Sequence, residues 1–138
     1  GVFRYTPGTA TVEALPIDAE GVRGLPSADA RALVVARNGH LWIGTFDAGL
    51  VRHDPATQAW QRWHLGNNTA SSLWHPMVLA LHEDRSGRIW IGTLTGLNVL
   101  EPESGQLIRI AKREDQAGGL AGDLVRVIHE SADGTVWV

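Results

Sequence analysis

The segment Gly87–Leu97, GRIWIGTLTGL, recurs as Gly39–Leu50, GHLWIGTFDAGL, and begins a third time at Gly134 as GTVWV. Tryptophans 42, 90 and 137 set the period at 90 − 42 = 48 and then 137 − 90 = 47 residues. A fixed period of that length restricts the chain to architectures that stack one supersecondary unit on the next. A Gly-hydrophobic pair follows each of the first two tryptophans, Gly49-Leu50 and Gly96-Leu97, and Gly1-Val2 is in phase with both. From this glycine to the next tryptophan is 41 residues every time (42 − 1, 90 − 49, 137 − 96), so all length variation falls in the loop between tryptophan and glycine. That loop holds Phe46-Asp47-Ala48 in the first repeat and is one residue shorter in the second.

Each unit reads as four short antiparallel strands. Val2–Tyr5 and Thr9–Leu15 flank Thr6-Pro7-Gly8, a turn signal that returns around Pro55 and Pro102. The runs Ala30–Ala36, Val78–Asp84 and Val125–Ser131 are apolar on both faces, the pattern of a strand buried on both sides. They end at Asn38-Gly39, Ser86-Gly87 and Asp133-Gly134, dipeptides that supply the positive φ of a tight hairpin. In the strand that follows, alternation puts Trp42 with Gly44, and Trp90 with Gly92, on one face and the aliphatics on the other. Gly44 and Gly92 then leave a groove for a neighbouring unit. Sheets covered on both faces by other sheets describe the blades of a β-propeller. The chain is read as all-β, a propeller fragment of about three four-stranded blades: residues 1–24 an outer half-blade, 25–72 and 73–119 whole blades, 120–138 an inner half-blade. Trp42, Trp90 and Trp137 are expected to be buried between sheets, with Trp90 carrying the largest cost of truncation.

The 138 residues are 43% hydrophobic and 20% charged, which suits a folded domain. A net charge of −3 with 12 scattered Lys and Arg provides no footprint for nucleic-acid phosphates. No apolar run approaches the roughly 18 residues that span a bilayer, so no membrane contact is expected within this segment. The absence of cysteine removes disulfides, thiolate metal sites and a Cys nucleophile. The missing initiator Met suggests an excised piece.

The run Asp84-Arg85-Ser86-Gly87-Arg88-Ile89-Trp90-Ile91-Gly92-Thr93-Leu94-Thr95-Gly96-Leu97 resembles the two-component-regulator propeller repeat, D-x-x-G-x-[IL]-W-I-G-T-x-x-G-L. Ala36 and Ser131 replace the motif's Asp in the flanking repeats. The resemblance implies a periplasmic sensor propeller ahead of a membrane helix and an intracellular histidine kinase or diguanylate cyclase. It implies ligand sensing without catalysis. A lyase-like propeller enzyme and a protein-interaction scaffold are the alternatives.

Other candidate chemistry is thin. His82-Glu83 and His129-Glu130 share a repeat position, but Ser86 and Asp133 stand where a second zinc-binding His would be, and equivalent positions of different blades are expected to lie far apart. No metal, cofactor or catalytic group is therefore assigned. Gly118–Gly122 is glycine-rich but precedes a strand, which excludes the helix N-terminus of a phosphate loop. Ser27, His75 and Asp47 make a triad only on paper, since no serine sits in a nucleophile elbow. Where the repeats disagree is more informative. Leu25-Pro26-Ser27-Ala28 and Leu120-Ala121-Gly122-Asp123 correspond to Leu73-Trp74-His75-Pro76, so only the middle repeat carries Trp-His. Propeller connectivity puts that loop at the same end as Phe46-Asp47-Ala48. Phe46, Asp47, Trp74 and His75 are the candidate binding residues, for a small molecule or carbohydrate, with the polar Asn67, Asn68, Thr69, Ser71 and Ser72 nearby.

Gly1 is in phase with the third strand of a unit and Val138 with the second, so the two terminal half-blades are complementary. The expectation is self-association through them, as a homodimer of 3 + 3 = 6 blades.

Overall fold

The computed structural model describes residues 1–64, 72–110 and 119–138. Asn67, Asn68, Thr69, Ser71 and Gly118, singled out above, lie outside the described residues. Strand β1 (Phe3–Thr6) pairs with β2 (Thr11–Ala14). A four-stranded antiparallel sheet follows in the order β3 (Ala30–Val35), β4 (Leu41–Thr45), β5 (Leu50–Asp54), β6 (Ala59–Trp63). A second repeats it with β7 (Val78–Glu83), β8 (Ile89–Thr93), β9 (Gly96–Leu100) and β10 (Leu107–Ile110). The pair β11 (His129–Glu130) and β12 (Val136–Trp137) closes the sequence, and no helix occurs among the described residues. Register repeats with the sequence: Trp42 faces Arg52 across β4 and β5, as Trp90 faces Val99 across β8 and β9.

The hairpin glycines have the backbone that their dipeptides announce. Gly39, Gly87 and Gly134 have φ of 85°, 85° and 88°, and their amides donate to Ala36, Asp84 and Ser131 O at 2.8, 2.9 and 2.9 Å. Each is a type I turn completed by a left-handed glycine, which joins the strands without splaying them. The preceding Asn38, Ser86 and Asp133 have ordinary φ, so only the glycine uses the left-handed region. The Thr of the WIGT segment closes the opposite turn. Thr45 and Thr93 are fully buried and donate from Oγ1 to Gly49 O and Gly96 O, both at 2.8 Å.

Alternation then separates two cores. Ile43 and Val51 face Val2 and Leu25 on the β1–β2 side. Trp42, Leu50 and Trp63 face the second sheet and meet Val78, Ile89, Ile91, Leu100 and Leu107. Gly44 sits where this contact is tightest: a Cβ there would lie 2.5 Å from Val78 Cγ1. One repeat later a Cβ on Gly92 would lie 2.8 Å from Val125 Cγ1 and 2.7 Å from its carbonyl oxygen. Real Cβ contacts are never so short, so the valine that opens each repeat is a knob seated on the glycine of the one before.

A charged strap crosses the same junction at the hairpin end. Arg37 N donates to Glu83 Oε2 at 2.9 Å, its Nε lies 3.4 Å from the same oxygen, and its Nη1 and Nη2 donate to the carbonyls of Arg85 and Asp84. Arg85 repeats the arrangement, with N to Glu130 Oε2 at 3.1 Å, Nε to Oε1 at 3.7 Å and Nη2 to Ser131 O at 3.3 Å. His82 Nε2 also lies 3.5 Å from Glu130 Oε2. This overturns the expectation that equivalent positions of successive repeats lie far apart, since stacking sheets in register brings their strand ends together. Glu83 and Glu130 are strap acceptors and not merely solvated ends. Among the described residues, no cluster of three or more His, Asp or Glu is placed to hold a metal ion.

Two burial expectations and one strand boundary need correction. Trp42 is 1% exposed, but Trp90 is only half-buried and Trp137 is 64% exposed. Strand β3 buries only one face, leaving Leu33 and Val35 exposed at 53% and 69%. The third inner strand runs only from His129 to Glu130, short of the expected Val125–Ser131. One cause covers the two differences in burial: an apolar face is buried only where another sheet lies on it. A four-stranded sheet covers Trp42 and a two-stranded pair follows Trp90, while among the described residues no further sheet follows Trp137.

Candidate functional site

The two loops in which the repeats differ emerge at one end of the sheets, opposite the Arg–Glu strap. Between β4 and β5, Phe46 N donates to Asp29 O at 2.9 Å and Gly49 N donates to Pro76 O at 3.0 Å. The second bond ties the Phe46-Asp47-Ala48 loop directly to the segment carrying Trp74 and His75. It requires a glycine: Gly49 has φ +85°, and a Cβ would lie 2.2 Å from Trp63 O.

Around this junction the side chains form two aromatic-cation pairs. Phe46 is 41% exposed with the Arg31 guanidinium 4.9 Å from its ring centroid, and Arg31 Nε is paired with Asp29 Oδ1 at 2.7 Å. Trp74 is half-buried, with its ring 3.6 Å from the Cβ position of Gly96 and the Arg109 guanidinium 5.7 Å from its centroid. Arg109 Nη2 donates to Ser72 Oγ at 3.0 Å. A Cβ at position 96 would touch the indole only at ordinary contact distance but would lie 2.9 Å from Ile110 O, so close backbone approach as well as the φ of +129° calls for glycine there. Met77 N donates to His75 Nδ1 at 3.0 Å, so the neutral imidazole carries its proton on Nε2. Asp47 is exposed.

This end of the sheets therefore gathers flat aromatic surface, guanidinium and imidazole groups and one carboxylate on two loops joined by a backbone hydrogen bond. Arg31 and Arg109 escaped the reading of the sequence because nothing in a lone arginine reveals the ring it will lie on. The signal present was positional: Arg109 pairs across its strand with Asn98 beside the turn at Gly96.

The most strongly tied carboxylate lies elsewhere. Asp84 is 3% exposed, and its oxygens accept from Ser86 N and Arg88 N (2.9 and 3.0 Å), Arg88 Nε (2.7 Å) and Trp90 Nε1 (2.8 Å). Burial pushes this carboxyl up, but the bonds from the Trp90 indole and from Arg88 outweigh it and hold it below the usual carboxylate range. The motif's Asp is thus an anchor for the hairpin and the indole, with no capacity left for a ligand. Ser131 stands in for it one repeat later, accepting from Trp137 Nε1 at 3.2 Å.

Two stretches, residues 24–47 and 72–95, match the two component regulator propeller family. Histidine kinase P4 of Formosa agariphila is 33% identical over 60 residues, covering 44% of this chain and 4% of that protein. Among solved structures, the extracellular domain of BT4673 of B. thetaiotaomicron, described as a hybrid two component system, aligns over 99% of this chain with a TM-score of 0.76 at 20% identity. The corresponding domain of BT3049 from the same organism aligns over 96% with a TM-score of 0.75, also at 20% identity. The chain spans 17% of each solved relative, so it corresponds to a few blades of a longer array. The repeat of that family is thus matched in two stretches of this chain, and the sheets around it have the fold of those extracellular domains.

Proposed function

We propose that this chain is the signal-input part of a periplasmic bacterial receptor, with no catalysis of its own, and that its ligand binds at the rim formed by Phe46, Asp47, Trp74 and His75. The observation that carries the reading is the Gly49 N to Pro76 O bond, which joins the Phe46-Asp47-Ala48 loop to the segment carrying Trp74 and His75. Further support comes from relatives described as extracellular domains of two component systems, and from the absence, among the described residues, of any helix long and apolar enough to cross a membrane. The ligand class is a saccharide or small polar metabolite: indole and phenyl faces stack on a sugar ring, and Asp47 and His75 supply an acceptor and a donor for hydroxyls. Because Gly49 belongs to one blade and Pro76 leads into the next, a ligand bridging the loops favours one blade-to-blade packing over another. That differential is what an output domain reads.

Titration of Trp fluorescence with a panel of neutral and acidic saccharides and amino acids tests the site. One member is expected to bind at millimolar concentration or better, on the order of 4 kcal/mol. Asp47→Ala, an exposed position, should abolish that response without changing the melting temperature. A panel with no binder, or binding that survives both Asp47→Ala and Trp74→Ala, refutes the rim.

A further inference from the structure

The first four-stranded sheet has a second concave site, at the hairpin end and away from the rim. A cavity of about 290 Å³ is lined by His40, Arg52, Asp54 and Gln61, with Ala59 and Trp60 completing its wall. All six lie on β5, on β6 or in the turn that leads into β4, so neither end of the chain bounds the cavity. Arg52 faces Trp42 on one side and Gln61 on the other across the strands. Two indoles fix its guanidinium, which lies 5.7 Å from the Trp42 ring centroid and 5.9 Å from that of Trp63. Among the described residues no carboxylate or carbonyl pairs with it. We propose that this cavity binds a small amino acid as its zwitterion, with the carboxylate on Arg52 and the ammonium toward Asp54.

The neighbouring units show what Arg52 lacks. Shifted by the repeat, the places of Arg52 and Gln61 are taken by Arg4 and Glu13 in the unit before and by Val99 and Ile108 in the unit after, each pair facing across its strands. Arg4 and Glu13 form an ion pair, and Val99 and Ile108 need no partner. Arg52 alone has the cation without the anion, because Gln61 puts a neutral amide where Glu13 has a carboxylate. A ligand carboxylate completes the pair. The guanidinium held against two indole faces is already oriented to take it through two parallel hydrogen bonds.

Asp54 supplies the complementary charge. Its carboxyl accepts from Thr57 Oγ1 at 2.6 Å and from Ala56 N at 2.9 Å, and these bonds hold it below the usual carboxylate range, so it is ionised at neutral pH. A dianion in the cavity would be repelled by that charge, whereas a zwitterion answers both Arg52 and Asp54. His40 lies beside them, with Nε2 3.8 Å from Asp54 Oδ2 and with Nδ1 buried and lacking a hydrogen-bond partner among the described residues. With Nε2 protonated toward the carboxylate, Nδ1 is an acceptor that the protein itself leaves unused. The volume suits a molecule the size of alanine and is too small for an oligosaccharide.

Calorimetric titration of the chain with L-alanine, and with acetate for comparison, tests the site. L-alanine is expected to bind with a dissociation constant in the millimolar range or tighter, and acetate at least about tenfold more weakly because it leaves Asp54 unanswered. Gln61→Glu is the discriminating variant. Gln61 is exposed, so the substitution leaves the fold intact while giving Arg52 the internal partner that Arg4 has. It should weaken alanine binding roughly tenfold or more, as should Arg52→Gln. Alanine binding that survives Asp47→Ala and Trp74→Ala but is lost in Gln61→Glu belongs to this cavity, and leaves the rim to be judged on the other members of its panel. Binding lost in Asp47→Ala and kept in Gln61→Glu assigns alanine to the rim and overturns this site. No binding of L-alanine, acetate as tight as L-alanine, or equal affinity of Gln61→Glu and the parent chain also overturns the proposal.

Discussion

The sheets β3–β6 and β7–β10 have one backbone plan and two solutions for the same tryptophan. In the first, Trp42 packs on Trp63 with ring centroids 5.1 Å apart, Arg52 lies over both rings, and the residue at the motif's Asp position is Ala36. In the second, Val99 and Ile110 replace Arg52 and Trp63, and the Trp90 indole is held by the Asp84 carboxylate with Arg88 beside it. The first indole is fixed by neighbours on its face, the second by a hydrogen bond from its own hairpin. The contrast teaches that the repeat motif specifies where an indole goes, while the side chains one strand over decide how it is held.

That comparison breaks most readily at the tryptophans themselves. Trp42→Ala should cost about 3–5 kcal/mol, the range for removing a fully buried large aromatic, and Trp90→Ala distinctly less because Trp90 is half-buried. Chemical denaturation of the two variants checks the order. Equal losses would mean that the hairpin hydrogen bond compensates for missing burial.

A second difference lies on the opposite face. Asn98 in β9 is fully buried, and its amide oxygen and nitrogen have no hydrogen-bond partner among the described residues, whereas the equivalent residue in β5 is Val51. Transplanting the first sheet's solution, Asn98→Val, should stabilise the chain by about 1–3 kcal/mol, the penalty of an unsatisfied buried polar group. A rise in the unfolding midpoint in denaturant is the expected result. A fall would show that the amide has a role in binding or registration.

The smallest effect concerns pH. The Asp84 carboxyl is held below its unfolded value, so the unfolded state binds its proton first as pH falls. Its contribution to stability is therefore complete above the ordinary carboxylate value, 3.8, and is lost as pH drops through the lower folded value. Asp84→Asn should cost about 1–2 kcal/mol at neutral pH, and the difference from the parent chain should shrink as the solution is acidified below pH about 4. Melting temperatures of both proteins between pH 7 and 3 measure it. A constant gap over that interval would argue against the ionised Asp84 as anchor of the Trp90 indole. Ala36, its counterpart in the first sheet, has no ionisable side chain, so any acid sensitivity of that sheet must come from another group. His53 is one source, since burial depresses its pKa and its protonation disfavours the folded state as pH falls below 6.5.

Much of the fold could be read in advance from local chemistry. Alternating apolar residues, turn glycines and prolines are legible because strand periodicity and left-handed turns involve only residues close in sequence, and β1 to β10 follow that reading. The four candidate rim residues were identifiable as departures from the repeat, and the loops that carry them do share an end. Their arginine partners were not identifiable, and neither was the strap from Arg37 to Glu83, because these contacts join residues a whole repeat apart.

What the sequence alone determined is the unit: four antiparallel strands, a Trp and a Gly on one face, and a loop that absorbs length changes. It also determined that the units must stack, since each has two apolar faces and no means of burying them alone. Only the tertiary structure decided which faces are covered. Trp42, Trp90 and Trp137 occupy one motif position and run from buried to 64% exposed. Burial is a property of what lies opposite a residue, and period-2 alternation specifies the face a side chain takes without specifying what will meet it there.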